Sequence, residues 1–366
     1  CRVPSDNRRL MDEWFSHPNY DEYWQAEDCS RHFDKMNVPC FTIGSWYDFM
    51  NIGSIESYIG RQHRGGAKSR GTQQLLIGPW LHGRFKETNK TAELTYPENA
   101  KWPEAHMLKW FDHYLKGVDN GVEKESAVRY YVMGALGEDG APGNEWRATT
   151  DWPVPAKDQP LFLRSGGKLN GDKPTETGES GRTTYRSDPK QPAEIPGRAF
   201  PGAADARKFE AQADVRTFTT DVLTEPVEWT GKVRAELWVA STARDTDFIV
   251  RVSDVYPDGR SILLIDYVRR ARYREGYEQE KLMEPGKVTP VNFDIGWLSQ
   301  IFNRGHRIRV TIASNGAPFY EPNPNTGEQQ TIEMPEQTVV AENTVYHNPD
   351  HASRIIVPVF KSGTTK

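Results

Sequence analysis

The chain has 366 residues and a net charge of −5, with 36 % of its residues hydrophobic and 27 % charged. That length carries two domains with separate cores, and that balance excludes a disordered chain. Lys and Arg are scattered, which argues against nucleic acid as a partner, and no run of about 18 apolar residues is present to cross a membrane as a helix.

Three cysteines, Cys1, Cys29 and Cys40, are too few for a disulfide framework, although one bridge stays open. The sequence starts at Cys1 with neither Met nor a leader, so it is expected to be part of a longer protein. Compartment and oligomeric state, a homo-oligomer included, are left open.

Residues 1–30 mix Trp14, Phe15, Tyr20, Tyr23 and Trp24 with charges and predict short helices and loops. From Val38 the run VPCFTIGSW has the texture of a strand buried on both faces. NIGSIESYIGRQ follows, with Ile52, Ile55 and Ile59 at helical spacing, and then a second buried strand, QQLLIGPW. PEAHMLKWFDHYLKG predicts a helix with Pro103 in its first turn, Leu108, Phe111 and Leu115 on one face, and Gly117 as its stop. VRYYVMG reads as one more strand, so the alternation predicts a parallel α/β sheet.

After Asp151-Trp152-Pro153 no amphipathic helix is expected. Alternating segments such as VRAELWVAS, DFIVRVSDV and RIRVTIAS, separated by PDG, NRG and SNG turns, predict an antiparallel sandwich. Residues 170–205 are rich in Gly, Pro, Thr and Ser and read as long loops.

Two loops carry candidate chemistry. Asp48 follows the first buried strand and precedes a helix, and His82 follows the second. In an α/β hydrolase the nucleophile, acid and histidine come in that order, each on a loop after a strand. An acid so placed holds the imidazole in one tautomer and stabilises the imidazolium. A helix-capping Asp48 and an unrelated loop histidine are the plain alternative. The nucleophile is missing. No G-x-S-x-G or G-x-S-x-x-G occurs, and Ser45 and Ser54 lie too near Asp48 to come from a separate elbow.

IGSWYDFMNIGSIESY together with LLIGPWLHG resembles the acid and histidine motifs of the family of cocaine esterase, α-amino-acid ester hydrolase and Xaa-Pro dipeptidyl-peptidase. The similarity continues through KWFDHYLKG, FTTDVLTEPVEWTG, DTDFIVRVSDVYPDG and FNRGHRIRVTIAS, and so covers nearly the whole chain. It implies an α/β-hydrolase part followed by a jelly-roll β-sandwich, with residues 1–30 as the end of a helical cap, 31–150 as the C-terminal half of the hydrolase domain, and 151–366 as the sandwich. It also implies a serine hydrolase acting on an ester or peptide, with Asp48 and His82 as triad members. The serine and the oxyanion tyrosine would lie in the N-terminal half of the same protein, and no metal or organic cofactor is needed. An Xaa-Pro dipeptidyl-peptidase or α-amino-acid ester hydrolase is an alternative, and a non-catalytic glycan- or partner-binding protein is a third reading.

Some α-amino-acid ester hydrolases hold the substrate ammonium with acids just after the triad Asp. Phe49, Met50 and Asn51 stand there in this chain. The resemblance therefore implies a neutral acyl group, with Phe49 and Met50 as candidate pocket residues or cap packing. Asp245, Asp247, Asp254 and Asp258 are a calcium candidate, with strand ends and a turn as the plainer account. His306 is expected at a tight turn. His32, His63, His106, His113, His347 and His351 lack zinc spacing. Trp229, Trp238 and Trp297 are expected in packing rather than in glycan binding.

Overall fold

The structure is a computed structural model, and it describes residues 5–83, 89–101, 104–195, 203–329 and 336–361. Helices α1 (Ser5–Ser16) and α2 (Glu22–Glu27) come first, and the Asp21 carboxylate caps α2 by accepting from the Tyr23 amide. Strand β1 (Phe41–Tyr47), helix α3 (Asn51–Arg64) and strand β2 (Gln74–Leu81) follow. A short ribbon of β3 (Lys90–Thr91) and β4 (Leu94–Thr95) leads to helix α4 (Glu104–Lys116), strand β5 (Val128–Val132) and strand β6 (Glu145–Thr149). β1, β2 and β5 run parallel in that order, and β6 adds antiparallel to β5.

β2 is buried throughout, as its unbroken apolar run requires. β1 departs from expectation. Val38 lies exposed before the strand starts, and Phe41, Thr42 and Ile43 are only half-buried. The reason is position: among the described residues β1 is the edge of this sheet. Helix α4 departs too. Leu108, Phe111 and Leu115 are exposed, while His106 and Trp110 face inward against Phe41, with ring centroids 5.2 and 6.4 Å away. The inward histidine is tolerated because Glu125 meets its Nδ1 at 3.1 Å. Gly117 ends the helix with φ +70°, and Pro103 lies outside the described residues.

Among the described residues, the regular structure of the second part is strand apart from the single-turn helix α5 (Arg207–Glu210) and short 3-10 turns. Its strands are β7 (Lys157–Arg164), β8 (Lys168–Asn170), β9 (Arg182–Ser187), β10 (Arg216–Thr219), β11 (Val227–Ser241) and β12 (Asp247–Val255), then β13 (Ser261–Arg270), β14 (Thr289–Phe302), β15 (Arg307–Ala313), β16 (Ala341–Tyr346) and β17 (Arg354–Phe360). Pairing is antiparallel except between β8 and β10, and the fold is a jelly-roll sandwich. The region read as long loops holds a strand, since β9 pairs with β16 over its whole length. Residues 196–202 of that region lie outside the described residues. Trp229, Phe248 and Phe302 fill the sandwich interior, and Trp238 is half-buried with its ring edge against His351.

The two parts share a core. The Met133 amide at the end of β5 donates to Ser299 in β14 at 3.0 Å, and the Ile301 amide donates back to Met133 at 2.8 Å. Around this seam Trp152 is fully enclosed, with Trp46, Tyr130 and Trp297 at centroid distances of 6.1, 5.2 and 5.9 Å. Enclosed rings of this size bury roughly 150–250 Å² each, which at about 25 cal/mol per Å² is about 4–6 kcal/mol apiece. The half-exposed Glu56–Lys232 bridge across the same seam is worth at most about 1 kcal/mol, so ring burial holds the parts together.

His306 does follow a tight turn, with its amide donating to Asn303, but its ring is fully buried at the same seam. Nδ1 meets Asp254 at 2.7 Å, and Nε2 meets Glu138, from the loop after β5, at 2.9 Å. Burial works against the imidazolium, yet the two carboxylates outweigh it and hold the His306 pKa above its ordinary value. A raised pKa means the native state binds the proton more tightly than the unfolded chain does. The stabilisation is therefore full below about pH 6.5 and is lost as pH rises through the folded value. His306→Gln is expected to cost about 3–5 kcal/mol at pH 6, since it strands a buried carboxylate. The gap to wild type should narrow in alkaline buffer. Denaturant unfolding of both proteins at several pH values checks this, and a gap that widens with pH would contradict the charged His306.

Candidate active site

The C-terminal ends of β1 and β2 lie side by side. Their register pairs Tyr47 with Leu81, so the next residue on each strand, Asp48 or His82, leaves the sheet at the same level. A bulge between Ser45 and Tyr47 adjusts that register, a common device for re-aiming a side chain. Asp48 then turns into α3. Its Oδ1 accepts from the Met50 amide at 2.8 Å, and its carbonyl accepts from the Asn51 amide at 3.0 Å.

His82 Nδ1 stands 3.1 Å from Asp48 Oδ1 and 3.0 Å from Oδ2. A carboxylate only accepts, so Nδ1 carries the proton and the ring's basic nitrogen is Nε2. The Asp48 side chain is 14 % exposed against 43 % for His82, so the acid is sheltered while the ring reaches the surface. Phe49 packs against the imidazole at a centroid distance of 4.7 Å, with the two ring planes tilted by 40°. Such a pair can take a proton from a third group and hold the resulting charge.

The flanking motif residues explain themselves by packing. The Trp46 indole donates to the Tyr131 carbonyl and the Trp80 indole to the Ala100 carbonyl, each at 2.7 Å. Tyr47 is buried with its hydroxyl 2.9 Å from Tyr96, and burial pushes its phenol well above the usual range. Gly78 is glycine because a Cβ there would lie 2.4 Å from the Trp80 ring. Phe49 and Met50 are exposed over a cleft that also takes in Cys40, Ile52, Arg61 and Tyr267.

Behind Asp48 lies a cavity of about 160 Å³, walled on one side by Trp46, Tyr47, Asp48, Phe49, Asn51 and Ile52. The other wall comes from the sandwich: Leu264, Ile265, Asp266 and Tyr267 of β13, Ile295 and Gly296 of β14, and Tyr320. The sequence reading missed this second wall, because nothing local marks residues so far along the chain as neighbours of Asp48.

The calcium quartet is dispersed. Asp245 pairs with Arg272 and Asp247 with Arg270, Asp254 takes His306, and Asp258 takes Arg260. The remaining histidines are also spread out: His63 meets Asp151, His106 meets Glu125, His113 faces the Val118 carbonyl, and His347 meets Thr183. Among the described residues no cluster of three or more His, Cys, Asp or Glu is placed to hold a metal.

The G-P-W stretch yields a direct test. Gly78→Ala must displace the Trp80 ring, and overpacking of this kind costs about 1–3 kcal/mol. A urea unfolding midpoint equal to wild type would show that the ring has room to yield.

Comparison with known proteins bears on this geometry. Residues 120–356 match the model described as the X-Pro dipeptidyl-peptidase C-terminal non-catalytic domain, and residues 3–84 match that of X-Pro dipeptidyl-peptidase (S15 family). The chain is 33 % identical over 369 residues to the cocaine esterase of Rhodococcus sp. (strain MB1 Bresler), covering 96 % of this chain and 62 % of that protein. Among solved structures, an α-amino acid ester hydrolase superposes with a TM-score of 0.83 at 25 % identity, over 96 % of this chain and 61 % of that one. An aminopeptidase from a marine sediment Thaumarchaeota archaeon gives 0.83 at 24 % identity, over 96 % and 60 %, and shares the fold. This chain thus spans about three fifths of the length of these relatives. From the family match and the shared two-part fold, the chain belongs to the α/β-hydrolase family that includes cocaine esterase, α-amino-acid ester hydrolase and X-Pro dipeptidyl-peptidase.

Proposed function

We propose that the whole protein is a serine hydrolase that cleaves an ester or amide through an acyl-enzyme, with the nucleophilic serine in an N-terminal part beyond this chain. The observation that carries the reading is the Asp48–His82 pair at adjacent C-terminal strand ends of a parallel sheet. In this reading the serine Oγ attacks the substrate carbonyl and its proton passes to His82 Nε2. The same proton then goes to the leaving oxygen or nitrogen as the acyl bond to it breaks. His82 next takes a proton from water, whose oxygen attacks the acyl-enzyme, and returns that proton to the serine as the acid departs. Asp48 keeps Nδ1 protonated and offsets the imidazolium charge throughout.

The likeness to cocaine esterase supports a small-molecule ester as substrate, and the match to X-Pro dipeptidyl-peptidase supports a peptide. A peptide with a free amine would need a carboxylate beside the acid, where Phe49, Met50 and Asn51 stand, so the ester reading is favoured. A purely binding protein has no use for a sheltered carboxylate fixing a surface histidine.

A fluorophosphonate probe tests the assignment. It should label the full-length protein and leave the purified 366-residue chain unlabelled, because the chain carries neither a G-x-S-x-G nor a G-x-S-x-x-G motif. In the full-length protein, His82→Ala should lower kcat by about 10⁴–10⁶, while Asp48→Asn should leave a residue of activity after a loss of about 10⁴. Near-normal turnover by His82→Ala would remove the histidine from its role.

A further inference from the structure

Between β1 and α3 the chain turns within Asp48, Phe49 and Met50, and that short turn aims the acid. Backbone amides make three of its bonds. The Asp48 amide donates to the Ser45 carbonyl at 3.3 Å, the Asn51 amide to the Asp48 carbonyl at 3.0 Å, and the Met50 amide to Asp48 Oδ1 at 2.8 Å. The Asn51 side chain adds a fourth, Nδ2 donating to the Ser45 carbonyl at 3.2 Å. Ser45 is where the pairing of β1 with β2 shifts register, so this carbonyl sits at the bulge. The common use of Asn at a helix start is to cap it, yet the N-cap of α3 is Met50, with no side-chain cap bond. Asn51 is 7 % exposed, and its enclosed Oδ1 has no partner among the described residues. A buried amide with an unused acceptor costs stability, and an apolar residue of its size would avoid that cost. What Asn51 contributes is its donor.

We propose that Asn51 is a positioning residue for Asp48: its bond to the Ser45 carbonyl ties the first turn of α3 to the bulge of β1 and so fixes where the carboxylate meets His82. The inference rests on the serine-hydrolase reading and deepens it. Asp48 lies midway between the two tied residues. Its bond from the Met50 amide belongs to the same turn and moves with it, whereas the Asn51 tie refers the turn back to the strand that also sets the level of His82. The other bond to that carbonyl, from the Asp48 amide, is the longer of the two. Cutting the tie leaves the carboxylate free to drift, and a misplacement of about 1 Å in a catalytic constellation can cost about a hundredfold in rate. The same geometry separates Asn51 from its neighbours. Phe49 and Met50 are exposed at the cleft, while Asn51 is enclosed with its donor committed to the main chain, so it acts through Asp48 and holds no substrate group. Asn51→Asp keeps the shape but sets an acceptor against the Ser45 carbonyl, and Asn51→Leu removes donor and orphaned acceptor together.

The test uses the full-length protein and an aryl ester, with active sites counted by fluorophosphonate titration so that unfolded enzyme does not enter the rate. Asn51→Leu and Asn51→Asp are expected to lower kcat by about tenfold to a hundredfold with KM held within about twofold, the pattern of a contact that matters in the transition state. The melting temperature of Asn51→Leu should stay level or rise, because the unpaired Oδ1 has gone; a residue kept only for structure would not lose rate while holding stability. Proton NMR reads the pair without turnover. The His82 Nδ1 proton, bonded to a carboxylate, gives a far-downfield line that His82→Gln identifies by its loss, and this line should broaden or vanish in both Asn51 variants. Should Asn51→Leu fail to fold, Asn51→Asp carries the same readings. Wild-type kcat per titrated site in the variants would overturn the inference, as would a lower kcat with the downfield line intact. The line also separates the two readings. If the full-length protein neither cleaves the ester nor takes the probe, yet the line fades in the Asn51 variants, the hydrolase reading falls and the positioning role stands. If the probe labels wild type and variants alike and the line persists in both, the positioning role falls and the hydrolase reading stands.

Discussion

Everything at the candidate site hangs on the parallel pairing of β1 with β2. In a parallel ladder, equal progress along two neighbouring strands brings their ends out at one edge, and here Tyr47 opposite Leu81 makes Asp48 and His82 the first residues beyond it. A slip of one residue would turn both side chains to opposite faces and separate the acid from the imidazole. The register is defended by burial. β2 is enclosed throughout, and the last four residues of β1 are enclosed with it, so a slip would drive apolar side chains out and polar groups in. The Trp46 and Trp80 indoles each spend their single donor on a distant carbonyl, which pins both strands further.

The seam between the two parts shapes the surroundings of that pair. Trp152, Trp46 and Trp297 form one aromatic block reaching from the parallel sheet into β14, and backbone bonds at Met133 make the end of β5 run on into the sandwich. A sandwich fastened this way is a fixed wall rather than a tethered neighbour, and Leu264, Asp266 and Tyr320 can face the back of Asp48 only because of it. His306 belongs to the same seam, with one ring nitrogen on the sandwich acid Asp254 and the other on Glu138 from the loop after β5.

Edges and faces explain where local pattern misled. The apolar run from Val38 reads as an interior strand, and among the described residues Phe41, Thr42 and Ile43 are half-buried, with β2 alone beside β1. In α4, helical spacing grouped Leu108, Phe111 and Leu115, whereas the inward face belongs to His106 and Trp110, because Glu125 offers the histidine a partner and the indole reaches Phe41. Hydrophobicity ranks side chains one at a time. Which face is covered depends on what lies opposite, and a buried partner can outweigh the ranking.

Much of the chain's order of elements, though not strand β9, was legible from residues alone, because strand and helix periods, turn dipeptides and the Gly117 stop are local consequences of backbone geometry. The resemblance of IGSWYD and GPWLH to a known family singled out Asp48 and His82, and their matching strand-then-loop contexts agreed with it. Tertiary structure alone decided the rest: the side-by-side strand ends that bring those two residues within about 3 Å, the burial of His306 between two acids, and the arrival of Asp266 at the cavity behind Asp48. The division has a physical cause. Periodicity and turn chemistry act over a few residues, and a sequence displays them directly. Register between strands, the ionisation of a buried ring and the far wall of a cavity depend on groups that are distant in the chain and meet only after the two cores have packed against each other.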